Sequence, residues 1–517
     1  MEFYSEINLF LYKISFRNVS VEYINTLVEE GKIYTAKVVK IEHFKPHTDP
    51  EVNKLKCCII DGFNIICGID SEPGLYIYFP TACCLNPDFL RYANLYRHTE
   101  LNADPEQSGM FDDNGRVKAI KLRGELSEGF ILPAVMLENY VLSVTNVPLT
   151  CVEGTEFDVV EHEGKIFWIN KKYIPKHAQG QSGIGNGKTA KQPKGLDKII
   201  ENQFRFHYDT TLIKKCPNVI KPTDIISITE KVHGTSGISA YVLCKKPLSW
   251  KEKIAKWLTG EEFNQYDYLY SSRTVIKNQY YNKNVSDGYY GVDVWKYADD
   301  IIRPWLQKGM TVYYEIVGFL PNGGYIQKDY DYGCIPPIDN YIYGVHYKVL
   351  VYRVTMTNVA GNVHEFSARE VQQWCHHTGL IPVTEYFYGK ASDLYPDLNP
   401  NEHWNENFMQ RLANDKAFHM EEDSPTCDNK VPHEGIVIKI ENMKSEAFKL
   451  KCFKFLDKEG KLLDKGEVNI EDVGDTYFIT SFTGKGDINT MVAASDLTET
   501  AIKSYKKKYP TYKINKN

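Results

Sequence analysis

The chain has no run of about 18 apolar residues that would span a bilayer, so no transmembrane helix is expected. Its N-terminal stretch "MEFYSEINLFLYKISF" has no basic region ahead of an apolar core, so no secretory signal is read there and a cytoplasmic protein is expected. The twelve cysteines include no C-x-x-C pair, which argues against a zinc ribbon and gives no disulfide framework. "WCHHTG", with Cys375, His376 and His377, lacks a second ligand cluster at metal spacing and reads as an ordinary helix end. Positive charge is not in excess either. The 61 Lys and Arg against 67 Asp and Glu leave a formal charge of −6, so a polyanionic partner would have to be met by local patches. No internal repeat is evident.

What is present is the composition of an ordinary globular protein, 43% hydrophobic and 25% charged. At 517 residues the chain is too long for one core and predicts two to four domains. Tyrosine is abundant, with 36 residues.

Residues 33–150 contain short strand-like runs: "IYTAKVVKIEHF", "LKCCIIDGFNIICGID", "GLYIYFPTA" and "VKAIKLRGELSEGFILP". Their alternation and the Asp61-Gly62 turn predict a small antiparallel barrel or sandwich, of which an OB-like five-stranded barrel is preferred. Residues 171–197 are rich in Gly, Lys and Pro and read as a linker. Within it "GQSGIGNGKT" imitates a phosphate-binding loop, but Ser182 stands where the first glycine is required, and Pro193 follows where a helix should run. From 198 to 456 strand-like and helix-like runs alternate, which predicts an α+β domain with antiparallel sheets. The expected organisation is therefore an N-terminal domain over 1–170, a linker over 171–197, the α+β domain over 198–456 and an extension over 457–517 that includes the helix-like "ASDLTETAIKSYKKKY".

Lys231 lies between apolar runs in "SITEKVHGTSGISAYVL", in what reads as a buried strand pair, where an unpaired ammonium is costly. Three further charged segments are embedded in strand-like runs: "YYEIVG" with Glu315, "HEGIVIKI" with Glu434, and "FKLKCFK" with Lys449 and Lys451. The last two are two residues apart, on one face of a strand. Each alone reads as a polar residue on a solvated strand face; their order along the chain points to chemistry.

That ordered set resembles the covalent nucleotidyltransferases, the polynucleotide ligases and mRNA capping enzymes, whose nucleophile motif has the form K-x-(D/H/N)-G. The resemblance rests on "EKVHGTSG", "YSSRTVIKN" around Arg273, "VYYEIVG", "EGIVIK" and "FKLK", and extends to "VKAIKLRGELSEGFILP" and "LLDKGEVNIED". It looks closest to ATP-dependent RNA ligases with an N-terminal OB domain, the group that includes the Deinococcus-type ligase of 3′-hydroxyl and 5′-phosphate ends.

The resemblance implies an OB-like barrel followed by a ligase-type, ATP-grasp-like nucleotidyltransferase domain. It implies that Lys231 attacks the α-phosphate of ATP, giving lysyl-AMP. AMP then passes to an RNA 5′-phosphate, and a 3′-hydroxyl expels it. The attacking amine must be neutral, and Lys449 and Lys451 would help to lower its affinity for a proton and then neutralise the phosphate. Glu315 and Glu434 would hold Mg2+ or Mn2+ and the ribose. Arg273 would grip the ribose or the acceptor phosphate. Glu230, His233 and Gly234 complete the nucleotide site, the glycine leaving the nucleotide room.

Two features depart from the family pattern. "VLVYRV" puts Val349 where an adenine-stacking aromatic is usual and Arg353 where an acid is usual, leaving Tyr347 as the substitute stacker. "KKPLSWKEKIAKWLTGEEFNQYD" is an insertion read as an amphipathic helix, either a solvated decoration or a substrate clamp. In the N-terminal domain Arg116, Lys118, Lys121 and Arg123 alternate with apolar residues, so one strand face could track RNA phosphates. The expected partners are ATP and RNA, as a nicked duplex or broken ends, with no membrane contact and a monomeric state. The rival readings are a DNA ligase, a capping guanylyltransferase, or a nucleic-acid-binding protein with an inactive catalytic domain.

Overall fold

The computed structural model describes residues 13–16, 19–22, 34–81, 83–162, 165–173, 198–207, 210–260, 262–273, 275–277, 290–337, 341–399, 403–442 and 445–465. The glycine-rich segment 180–189 and the helix-like stretch 494–509 lie outside the described residues. The described chain falls into two compact units, one holding residues up to 173 and the other holding 198–463. Among the described residues no helix is long and apolar enough to cross a membrane.

In the first unit, strands β1 (Ala36–Ile41), β2 (Leu55–Ile60), β3 (Phe63–Gly68), β4 (Gly74–Phe79) and β5 (Phe130–Pro133) form antiparallel sheets. Asp61 and Gly62, with φ of 47° and 75°, make the tight β2–β3 turn. Such paired left-handed residues match the twist of hairpin strands. The order β5-β4-β1 is extended by Glu156–Phe157, while Lys45–Pro46 pairs with β2, and β2 with β3, in a separate sheet. Helices α1 (Pro87–Tyr92) and α2 (Ala134–Thr145) pack on this framework, and Val38, Ile77, Phe79, Phe89, Leu137 and Val141 share its core.

The expected basic strand of this unit is divided. Arg116 and Lys118 precede a hairpin of Ala119–Leu122 and Glu125–Glu128, and Arg123 sits in its turn at φ 51°. The Arg116 guanidinium is buried over the Tyr173 ring at 5.0 Å, and Lys118 donates to Asp112 at 2.9 Å, whereas Lys121 and Arg123 are exposed. Arg116 and Lys118 lie ahead of the strand and Arg123 in its turn, so the four cations do not share a strand face.

The second unit is built on two sheets. One has the order Thr211–Leu212, β13 (Ser445–Lys451), β12 (Gly435–Glu441), β6 (Ile225–Glu230) and β11 (Glu385–Lys390). The other runs β8 (Asn264–Ser272), β7 (Thr235–Lys245), β9 (Met310–Gly318) and β10 (Tyr347–Thr357), with Val363–Glu365 and Ile381–Pro382 beside β10. Its helices include α3 (Trp250–Thr259), α4 (Val294–Ile302), α5 (Ala368–Thr378) and α6 (Phe453–Asp464). α5 starts with a capping box of Ser367 and Glu370 and stops at Gly379, so the "WCHHTG" segment is a helix end with Cys375 in the core.

The period-two alternation of strands sorts the residues of both sheets. Ile226, Ile228, Ile436, Ile438, Phe448 and Leu450 are buried in one core with Tyr395, Trp404 and Phe408. The opposite face of the same strands carries Ser227, Thr229, Val437, Lys439, Lys449 and Lys451, which are register partners or alternate positions of one another. On the second sheet, Tyr314, Ile316, Tyr347, Val349 and Val351 pack under α4 and α5. Glu315, Val317, Lys348 and Leu350 alternate with them and face the other way.

Candidate active site

β6 and β7 are not partners. They belong to different sheets, and residues 231–234 are the crossover between them. This corrects the expected strand pair. The Lys231 backbone N–H donates to the Gly435 carbonyl at 2.9 Å, which extends the β6–β12 ladder by one residue. The His233 N–H then donates to the Tyr332 hydroxyl at 2.6 Å, and Gln327 Nε2 donates to the Gly234 carbonyl at 2.7 Å. Each polar backbone group in the crossover named here therefore has a partner, which holds the segment in one geometry.

A Cβ on Gly234 would stand 2.6 Å from the Ile316 carbonyl oxygen and 2.8 Å from Val317 Cγ1. The glycine is thus required by the close approach of β9. The space beside its Cα is filled by β9 and not kept for the nucleotide as the sequence suggests.

Glu434 is the centre of the cluster. Its carboxylate lies 2.8 Å from Lys231 Nζ, 3.2 Å from Lys451 Nζ and 3.5 Å from His233 Nδ1, with the Glu434 side chain only 4% exposed. Burial pushes its proton affinity up, but the two ammoniums and His233 outweigh burial and hold the carboxyl well below its ordinary value. Lys451 also pairs with Glu459 at 3.3 Å and lies over the Phe455 ring at 4.8 Å. The His233 ring meets Tyr330 and Phe455 edge-on, each at 4.9 Å. Tyr330, Tyr332, Gln327, Phe455 and Glu459 went unnoticed in the sequence. The tyrosine-rich segment "KDYDYG" was the one available signal.

The remaining candidates are placed as follows. Lys449 precedes Lys451 by two residues on the same strand face, opposite Val437. Glu230 points to the other side of its strand, where its buried carboxylate accepts from Thr426 at 2.6 Å and burial raises its proton affinity. Glu315 stands on the second sheet between Ser236 and Leu350. Tyr352, a bulge residue of β10, reaches the same side: its hydroxyl is 3.2 Å from Ser236 Oγ and 3.2 Å from His207 Nδ1. Arg273 is half-buried just after β8, whose last residue Ser272 pairs with Gly237.

Tyr347 is not brought to this cluster. It lies in the core beneath α4 and α5 and stacks on Tyr341 with centroids 4.4 Å apart. Val349 faces the same core. Strand alternation puts Lys348, Leu350 and Tyr352 on the Glu315 side instead, a one-residue offset that reverses the expected face. Arg353, the expected substitute for an acid, pairs with Glu365 at 2.8 Å and covers the Tyr313 ring at 4.4 Å.

No three His, Cys, Asp or Glu side chains converge into a metal cage among the described residues. Glu434 and Glu315 each offer one carboxylate. Magnesium-type cations keep several waters and take one or two carboxylates with substrate phosphates, so this donor set fits an ion that arrives with a nucleotide.

No family model matches the chain, and no curated protein does. Among solved structures it is similar to an RNA ligase of Naegleria gruberi. An alanine variant of that ligase with ATP and Mn is 14% identical with a TM-score of 0.46, over 82% of this chain and 99% of the other. The same ligase with PPi is 13% identical with a TM-score of 0.45, over 82% and 98% of the two chains. A variant with AMP and Mn gives 13% and 0.43 over the same shares.

Proposed function

We propose that the protein is an ATP-dependent RNA ligase that joins 3′-hydroxyl and 5′-phosphate ends, of the group with an N-terminal OB-like module. One observation carries the reading. Lys231, His233, Glu434 and Lys451, drawn from segments about two hundred residues apart, meet around one buried carboxylate. This is the order and chemistry that the K-x-H-G resemblance demands.

In this reading the Lys231 amine forms a bond to the α-phosphorus of ATP, and the bond from that phosphorus to the pyrophosphate oxygen breaks. The ammonium must first give a proton to solvent, so its contact with Glu434 is a resting arrangement that holds the nucleophile in register. Lys451 and Lys449 lie on one strand face and neutralise charge on the phosphate as pyrophosphate leaves. Glu315 and Glu434 would hold Mg2+ or Mn2+, which when bound screens the triphosphate charge. AMP then passes from lysine to the 5′-phosphate of an RNA end, and a 3′-hydroxyl displaces it. Arg273 is assigned to the ribose or acceptor phosphate, and Lys121 and Arg123 to the RNA backbone. Nick sealing or repair of broken RNA in the cytoplasm is the role that follows.

The test is incubation with magnesium and α-labelled ATP or GTP. Label from ATP should remain on the protein through alkali and leave in acidic hydroxylamine, as a P–N bond does, and should be absent in Lys231→Ala. Labelling by GTP alone would favour a capping enzyme. No label, or label that persists in Lys231→Ala, would sink the proposal.

A further inference from the structure

We infer that helix α3 seats on an anionic lipid surface, so that the protein is recruited to membranes from one side. The helix stands clear of every core: none of its ten residues is buried. Trp250, Ile254, Trp257 and Leu258 are 69%, 48%, 81% and 69% exposed. At 3.6 residues per turn these four positions share an arc of about 100°. Trp250 and Ile254 lie in its middle, with Trp257 and Leu258 at the margins.

The helix is defined by local signals and not by packing. Ser249 and Glu252 form a capping box, and Gly260 closes the other end at φ 69°. A helix this short is marginal in water unless an apolar face is covered. Capping supplies the ends, and the exposed arc is left for an external surface.

Charge identifies that surface. Lys246 pairs with Glu252, and Lys256 pairs with Glu262 at 2.6 Å. No carboxylate among the described residues pairs with Lys251 or Lys253. On the helical wheel these two flank the apolar arc, Lys253 beside Trp257 and Lys251 beside Leu258. Indoles and aliphatic side chains edged by snorkelling ammoniums suit a headgroup boundary, where the ammoniums meet lipid phosphates and carboxylates. A second copy of the chain is a poorer fit. Ten residues extend only about 15 Å, and four side chains fall well short of the roughly 800 Å² per partner of a stable interface. Duplex RNA would place the cations, not two indoles and an isoleucine, at the centre of contact. This peripheral contact departs from the sequence expectation of no membrane contact.

The test uses the full-length protein in flotation with phosphatidylcholine vesicles, with and without phosphatidylserine. Binding is expected only with phosphatidylserine, weakening as salt rises. Trp257→Glu, and separately the pair Lys251→Glu and Lys253→Glu, should each lower vesicle affinity about tenfold or more at unchanged thermal midpoint. Absence of wild-type binding, equal binding to neutral vesicles, or unchanged binding in both variants would overturn the proposal. A loss of duplex-RNA affinity with vesicle binding intact would overturn it in favour of RNA. A concentration-dependent dimer, abolished by Trp257→Glu without any vesicle binding, would overturn it in favour of self-association.

Discussion

Replacing Glu434 by glutamine keeps the shape of the side chain and removes its charge, leaving Lys231 and Lys451 facing each other across a neutral amide. Removing one partner of a buried ion pair costs about 3–5 kcal/mol when the remaining charge has no other compensation. Here Lys231 and Lys451 retain 18% and 20% exposure, and Lys451 keeps Glu459 at 3.3 Å. The loss should therefore fall near the lower limit, about 3 kcal/mol. For a unit of this size that corresponds to a thermal midpoint about 6–12 °C lower at pH 7. The acid limb gives an independent check. The folded-state carboxyl is held well below its ordinary value, so the stability it contributes is fully present above the unfolded value of about 4.3 and declines as pH falls below it. The gap between wild type and Glu434→Gln should then narrow on acidification. Combining Lys231→Met with Glu434→Gln should cost less than the sum of the single changes, by about 1–3 kcal/mol. Thermal unfolding followed by circular dichroism across pH measures all of this. Equal midpoints for wild type and Glu434→Gln at pH 7, or a gap independent of pH down to about 3, would refute the assignment of Glu434 as the charge that ties the cluster together.

Gly234→Ala should destabilise the second unit by about 1–3 kcal/mol, because the added methyl meets the Ile316 carbonyl at 2.6 Å; urea unfolding reads the change. Tyr332→Phe removes the acceptor of the His233 N–H in a buried site and should cost about 1–3 kcal/mol, measured in the same way. Tyr347→Phe should leave the ATP dependence of protein labelling unchanged, since that ring lies in the core under α4 and α5. Tyr352→Phe severs the contacts to Ser236 and His207 on the Glu315 side and should raise the ATP concentration for half-maximal labelling several-fold.

Much of the site was legible in one dimension because its chemistry is carried by residue types that are costly to bury. A lysine, two glutamates and a lysine pair, each inside a strand-like run, stand out against the desolvation penalty alone. Local signals were equally readable. The Asp61-Gly62 turn and the helix end at "WCHHTG" appear where the sequence predicts them, and the structure adds the Ser249 and Ser367 caps. These features depend on a few neighbouring residues, and so the sequence by itself determined them.

What only the tertiary structure decided is which face each alternating residue takes and which distant segments meet. The run "YKVLVYRV" has apolar residues at odd and even positions alike, and the bulge at Tyr352 shifts the register, so nothing local says that Tyr347 is interior and Tyr352 turns toward Glu315. Likewise the apolar runs on either side of Lys231 look like partners, yet they separate into two sheets: β6 pairs with β11 and β12, and β7 with β8 and β9. Pairing is a competition among all strands of the unit, decided by buried area and register. Lys231 consequently sits at a crossover between sheets, where Glu434 and Lys451 from the end of the chain's second unit can reach it.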